Sequence, residues 1–353
     1  MAFFDLSPES LQTYRSQAQA PKDFVEFWGS TLAQTRKFDL NPTFVPCNSH
    51  LPMVTCYDVT FSGFGGQEIR GWYILPVPSD AHGKPLHQDK QFPVVVQFIG
   101  YGGGRGLPVD WLGWPASGYA TLVMDTRGQG SGWQTGDTAD GGFVPNESLG
   151  PQVPGFMTRG ILSPETYYFT RLITDGVRAV ETIAHAPGAR LDQVIITGIS
   201  QGGGLTLAVS GLAGSTNFDQ PSVNQGWNRP GITVVASMPD VPFLCDFPRA
   251  VGLTDSNPYG ELTKYLKIHR DKIEQTFQTL SYIDGVHFSN YCTWPGYFST
   301  ALMDTICPPS TVFGAYHNWP GEKSIEIYQF NDHEGGQRAH FQKQQRYVKN
   351  LLA

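Results

Sequence analysis

Residues 194–211 read VIITGISQGGGLTLAVSG: β-branched residues, then a serine among glycines, then a helix-compatible run. Gly198-Ile199-Ser200-Gln201-Gly202 has the G-x-S-x-G form, with a strand pattern before it and a helix pattern after it, which is the context in which that motif makes a sharp strand-to-helix turn. Small residues flank the serine because the turn brings backbones together, and a side chain at either glycine would collide. Such a turn lifts the Ser200 hydroxyl into a cleft at a helix N-terminus. In a chain with 40 glycines the bare motif is weak, and its flanking elements give it weight.

The rest of the chain supplies a sheet for that turn. Runs rich in β-formers, MVTCYDVTF, EIRGWYILP, FPVVVQF and YATLVMD, are separated by Gly- and Pro-containing loops. The first two alternate and predict an antiparallel edge, whereas VVV and TLVM predict buried strands. Beyond about residue 160, helical patterns at 164–185, after Ser200, at 262–280 and at 337–352 interleave with QVIITG, GITVVASMPD, GYFSTALMD and SIEIYQFND. This alternation predicts βαβ units, an α/β fold with a mostly parallel sheet covered by helices on both faces. Two helical patterns, one from Ser7-Pro8 and one over 21–37, make residues 1–40 a helical extension. Residues 243–290 lie between two strands and are expected as an insertion over the C-terminal edge of the sheet, within one domain spanning 1–353.

With 353 residues, 40% of them hydrophobic, the chain can bury a large core. A net charge of −7 with scattered lysines and arginines speaks against nucleic acid or an anionic membrane as partner. No apolar run approaches the roughly 18 residues of a membrane span, and the expectation is a soluble, cytoplasmic protein. Cys47, Cys56, Cys245, Cys292 and Cys307 are odd in number and show no C-x-x-C spacing, which predicts buried free thiols rather than disulfides or zinc ligands.

A serine hydroxyl needs a base, and the base needs an orienting acid. In α/β-hydrolases both follow the nucleophile, at the ends of later strands. Asp304 closes the strand pattern of GYFSTALMD, and His333 stands in the turn after SIEIYQFND. His287, His317 and His340 are expected in loops or on the surface. Asp240, at the end of VVASMPD, competes with Asp304, while Asp332 neighbours His333 and points away from it on an extended chain. Two amides must hold a tetrahedral oxyanion: that of Gln201 and, from the glycine loop after VVVQF, that of Tyr101. Two decoys fail. GYGGGRG reaches Arg105 where a dinucleotide loop needs glycine, and HEGGQ ends on Gln337 where a zinc motif needs histidine.

With these residues in place, the sequence resembles the acetyl xylan esterase / cephalosporin C deacetylase family, carbohydrate esterase family seven, of the α/β-hydrolase superfamily. The likeness rests on the FFDL opening, Arg127-Gly128-Gln129 in MDTRGQG, Ser200 in GISQGG, MDTICPPST around Asp304, and His333-Glu334 in DHEGG. It implies a serine hydrolase that deacetylates short xylo-oligosaccharides and cephalosporin C without metal or cofactor. It also favours Asp304 over Asp240 and implies a homohexamer with sites facing an internal cavity. Arg127 and Gln129 are expected to fix loops beneath the nucleophile, and Glu334 to shape the histidine loop. Trp111, Trp114 and Trp133 are candidate sugar platforms or core residues. The oxyanion loop, IGYGGGRG, lacks the histidine expected before Gly-Tyr. The alternatives are a general short-chain carboxylesterase, a peptidase of similar fold, and a catalytically silent binding protein.

Overall fold

The β-forming runs assemble into one sheet of nine strands in a computed structural model that describes residues 3–87, 89–141, 150–214, 218 and 231–353. The strands are β1 (Thr43–Cys47), β2 (Thr55–Ser62), β3 (Glu68–Leu75), β4 (Phe92–Phe98), β5 (Ala120–Met124), β6 (Ala189–Ile199), β7 (Val234–Asp240), β8 (Gly296–Ala301) and β9 (Lys323–Tyr328). Their order is β1-β2-β3-β5-β4-β6-β7-β8-β9. β1, β2, β3 and β5 pair antiparallel in succession, and every pairing from β5 through β4 to β9 is parallel. The two alternating runs do pair antiparallel, but β1 forms the edge. Its Pro46 cannot donate to a ladder, a loss that an edge strand tolerates.

Helices cover both faces. Along β4, Val94 and Val96 enter one large core, while Val95 enters a second with Trp114, Ile195 and Val348. This period-two division explains why VVV is apolar throughout. The first core holds α2 (Phe24–Thr35), α4 (Tyr168–Thr182) and α5 (Gln201–Gly214); α3 (Gly113–Ala116) and α11 (Gln337–Leu351) border the second. α1 (Pro8–Thr13) starts as read, with Ser7 Oγ accepting from the Ser10 amide at 3.3 Å and proline in the first turn. Between β7 and β8 run α6 (Phe247–Leu253), α7 (Tyr259–Ile268), α8 (Ile273–Ser281) and α9 (Gly285–Ser289); α10 (Pro309–Asn318) lies between β8 and β9.

Three histidines differ from expectation. His287 in α9 and His340 in α11 are buried and His317 in α10 is half-buried, so none is a loop residue. α11 buries only His340, Gln344 and Val348, one residue per turn on an otherwise polar helix. Two of the three are polar, so the stripe carries almost no hydrophobic signal. All five cysteines are free, four of them buried. Among the described residues no helix is long and apolar enough to cross a membrane.

The parallel strands position the site. From β4 the chain goes to β5 on one side, and β6 lies on the other. Connections that leave in opposite directions open a crevice at the C-terminal ends of the two strands. The glycine loop follows β4 and Ser200 follows β6, so both enter that crevice.

Candidate active site

The elbow is built by backbone contact. Ser200 has φ of 57°, a left-handed conformation rare outside glycine. Its amide donates to the Asp240 carbonyl at 3.0 Å, and its carbonyl accepts from Phe243 and Gly204, each at 2.9 Å. A Cβ on Gly198 would sit 2.5 Å from the Gly202 backbone, and one on Gly202 would sit 2.3 Å from the Phe98 carbonyl oxygen. Both glycines of the motif are therefore required sterically.

Ser200, His333 and Asp304 meet. His333 Nε2 is 3.0 Å from Ser200 Oγ, and Nδ1 is 2.9 Å from Asp304 Oδ2. Asp304 is fully buried, and its other oxygen accepts from the Ile306 and Cys307 amides at 2.8 Å each. Burial opposes the imidazolium, but the hydrogen bond and charge of Asp304, with Asp240 and Asp332 adding, hold the His333 pKa above its ordinary value. The rival acids are occupied elsewhere. Asp240 accepts the Ser299 hydroxyl and stands 3.8 Å from His340 Nε2. Asp332 Oδ1 accepts the His333 and Thr305 amides rather than the ring.

Of the two predicted oxyanion donors, Gln201 follows Ser200 directly, and Tyr101 stands in the glycine loop after β4, the strand paired with β6. Among the described residues neither the Tyr101 nor the Gln201 amide is taken up by a loop or turn hydrogen bond, and first-turn amides such as that of Gln201 have no intrahelical acceptor. Gln129 joins the two segments: its Oε1 accepts from the Gly102 amide at 2.6 Å, and its Nε2 donates to Gln201 Oε1 at 2.7 Å. Arg127 forms a bidentate pair with Asp175, 2.6 and 2.7 Å, and both side chains are fully buried. Glu334 accepts from Asn331 Nδ2 and the Asp332 amide, at 2.9 and 3.0 Å, closing the histidine loop.

Two neighbours were not singled out from the sequence. The Tyr101 hydroxyl donates to Glu261 of α7 at 2.8 and 2.9 Å and accepts from the Phe156 amide at 2.8 Å. Burial, then the Glu261 charge, pushes that phenol far up, and burial raises Glu261 against the phenol's hydrogen bond. The Cys307 thiol lies beside Ser200, its pKa driven well up by burial and then by Asp304.

A cavity of about 810 Å³ borders the site at Gly100 and Ile199 but does not include Ser200 or His333. Trp111, Trp114 and Trp133 all line it. Trp133 is 61% exposed and donates to the Tyr101 carbonyl at 2.9 Å, whereas Trp114 is a buried core residue packed on Tyr119 and Phe341. Trp111 is half-buried, so of the three indoles Trp133 offers the most surface to a sugar.

The profile of the family described as acetyl xylan esterase (AXE1) matches residues 1–224 and 229–351. The acetyl esterase Axe7A of Xylanibacter ruminicola, a curated relative, is 25% identical over 336 residues, covering 93% of this chain and 66% of its own length. The acetyl xylan esterase of Paenibacillus sp. R4 superposes with a TM-score of 0.81 at 32% identity, over 98% of this chain and 99% of its own. Acetyl xylan esterase 1 of Thermoanaerobacterium sp. JW/SL YS485 gives 0.81 at 28%, over 99% and 100%. An acylaminoacyl peptidase of Pyrococcus horikoshii, at 15% identity and a TM-score of 0.54, covers 86% of this chain and 41% of its own. That last likeness is one of fold.

Proposed function

The chain belongs to the acetyl xylan esterase family, and on that footing we propose that it removes acetyl groups from hydroxyls of small acetylated carbohydrates through an acetyl-enzyme on Ser200. The observation that carries this reading is the chain of hydrogen bonds from Ser200 Oγ through His333 to buried Asp304. Ser200 Oγ attacks the acetyl carbonyl while His333 Nε2 takes its proton. The oxyanion is held by the Tyr101 and Gln201 amides, and His333 returns the proton to the departing sugar oxygen. Water then attacks the acetyl-serine with the roles reversed, releasing acetate. Asp304 keeps the Nδ1 proton in place and stabilises the imidazolium.

The reading extends to cephalosporin C, whose acetoxy group presents the same bond, and to a cytoplasmic homohexamer working without cofactor. A serine-directed phosphonate, followed by peptide mass spectrometry, tests the nucleophile: the adduct belongs on Ser200 alone, and an active enzyme that stays unmodified there refutes the acetyl-serine. Chain length tests the acyl group. A pocket shaped for acetate loses about 1–3 kcal/mol when extra methylenes push packed atoms aside, so acetyl esters should show a higher kcat and a lower KM than butyryl esters. A maximum at butyrate or beyond would make the enzyme a general carboxylesterase.

A further inference from the structure

Cys307 is a buried nucleophilic group that the proposed reaction does not use. Its Sγ, a carboxylate oxygen of Asp304 and a ring nitrogen of His333 all lie within 4.8 Å of one another. The buried thiols of Cys245 and Cys292 are directed at backbone carbonyls, those of Phe243 and Phe288 at 3.6 Å. Cys307 instead has the Ser200 hydroxyl as its side-chain partner. Thiolate, imidazole and carboxylate make a donor set for a borderline or soft d¹⁰ cation. In a tetrahedral zinc site such donors stand about 3.5 Å apart, from metal–ligand distances of roughly 2.0–2.3 Å. Asp304 and Cys307 are fixed in one buried turn, so the His333 ring closes the gap. Its side chain is 24% exposed, the one member of the three that solvent reaches.

We propose that Asp304, Cys307 and His333 form an inhibitory site for thiophilic divalent cations, Zn²⁺ or Cd²⁺, superimposed on the esterase machinery. On binding, the aqua ion sheds water and the Cys307 thiol gives its proton to solvent, leaving a thiolate on the metal. The imidazole binds neutral. If Nε2 coordinates, its lone pair is consumed; if Nδ1 coordinates, the ring proton moves to Nε2. Either way His333 cannot accept the Ser200 proton. Mg²⁺ and Ca²⁺, which select oxygen ligands, bind poorly to this donor set.

The inhibition rests on the base role proposed for His333; the binding does not, and the two are measured separately. In chelator-treated buffer, Zn²⁺ and Cd²⁺ should inhibit aryl acetate hydrolysis reversibly, with activity restored by EDTA, while Mg²⁺ and Ca²⁺ at equal concentration do not. Loss of outer hydrogen-bonding partners already costs 10–100-fold in metal affinity, so loss of the thiolate in Cys307→Ser should raise the half-inhibitory concentration at least about tenfold, relative to that variant's own metal-free rate. Cd²⁺ added to the Ser200→Ala protein should produce a cadmium–thiolate ultraviolet charge-transfer band, absent from Ser200→Ala/Cys307→Ser. Equal inhibition of the Cys307→Ser variant, or a band that survives loss of this thiol, overturns the site. If no substitution at 307 folds, His333→Ala decides: the band must weaken there, and an undiminished band assigns the cadmium to another cysteine.

Discussion

A serine hydroxyl becomes a nucleophile only while a neutral imidazole can accept its proton, so the protonation of His333 sets the acid limit of turnover. Burial lowers that pKa, yet Asp304 foremost, then Asp240 and Asp332, bring it above the ordinary histidine value of about 6.5. The acid limb of kcat/KM should therefore fall above that value. Removing one contributing charge in Asp240→Asn should move the limb to lower pH, and a limb that stays put or rises would deny Asp240 any field at the ring. Asp304→Asn should cost about 10⁴ in kcat, as a misheld imidazole tautomer does in other triads, and both Asp240→Asn and Asp332→Asn far less, because neither carboxylate touches the ring. Ser200→Ala should fold and lose a factor approaching 10⁶. Rate measurements on the four purified variants check the ranking, and an Asp240 variant slower than the Asp304 variant reverses the assignment.

The glycine run after Ser200 is a packing device at the scale of the helix. α5 is buried along nearly its whole length, and an added Cβ at Gly203 would lie 2.8 Å from the Asp240 carbonyl oxygen, at Gly204 2.3 Å from that of Phe243, and at Gly211 2.4 Å from that of Phe288. Gly204→Ala should thus destabilise by about 1–3 kcal/mol. Gly252, inside α6 with nothing within 4 Å of an added Cβ, should gain roughly 0.5–1 kcal/mol as alanine. Denaturant unfolding of both variants checks the contrast, and two effects of the same sign would refute it. The elements that sequence made legible were β2 and β3 from their alternation, β4 to β7 from their apolar runs, β8 and β9 from the strand–helix rhythm, and the elbow, whose glycines answer local crowding. β1 was missed because an edge strand, half-exposed and carrying Pro46, has no such run. Ser200 and His333 were legible from motif, order and strand ends, whereas Asp304 stood beside Asp240 until the family resemblance favoured it. Glu261 was not, since its bond to Tyr101 spans 160 positions, and neither was Cys307, whose role as neighbour exists only once the turn after β8 folds back onto the elbow.

At the scale of the molecule, the N-terminal extension is tied to the helices around the site. Trp28 Nε1 donates to the Tyr282 carbonyl at 2.8 Å, and the Tyr14 hydroxyl donates to Asp246 at 2.6 Å. Phe3 and Phe330 touch, ring centroids 6.3 Å apart, yet are 56% and 74% exposed, an apolar pair of the kind that a second copy covers. Light scattering at micromolar concentration tests the proposed hexamer and should return six chain masses; a monomeric mass refutes it. The strongest tie is Asp5. Its side chain is 1% exposed, and its carboxylate accepts from Arg249 Nη2 at 2.8 Å and from the Ser310 amide at 2.7 Å. α10 has no side-chain cap from its own flanks, so a residue 305 positions away satisfies an amide at its N-terminus and places negative charge where the helix dipole favours it. Asp5→Ala leaves that amide and a half-buried guanidinium without their acceptor, which costs about 1–3 kcal/mol. Asp39→Ala, at an exposed acid, should change stability by no more than about 0.5 kcal/mol. Thermal and denaturant midpoints of the two variants measure the difference. α10 follows directly on the turn that carries Asp304 and Cys307, so the Asp5 variant should also lose activity at a lower temperature than the parent. Equal midpoints for Asp5→Ala and Asp39→Ala would reduce the extension to a passive cover.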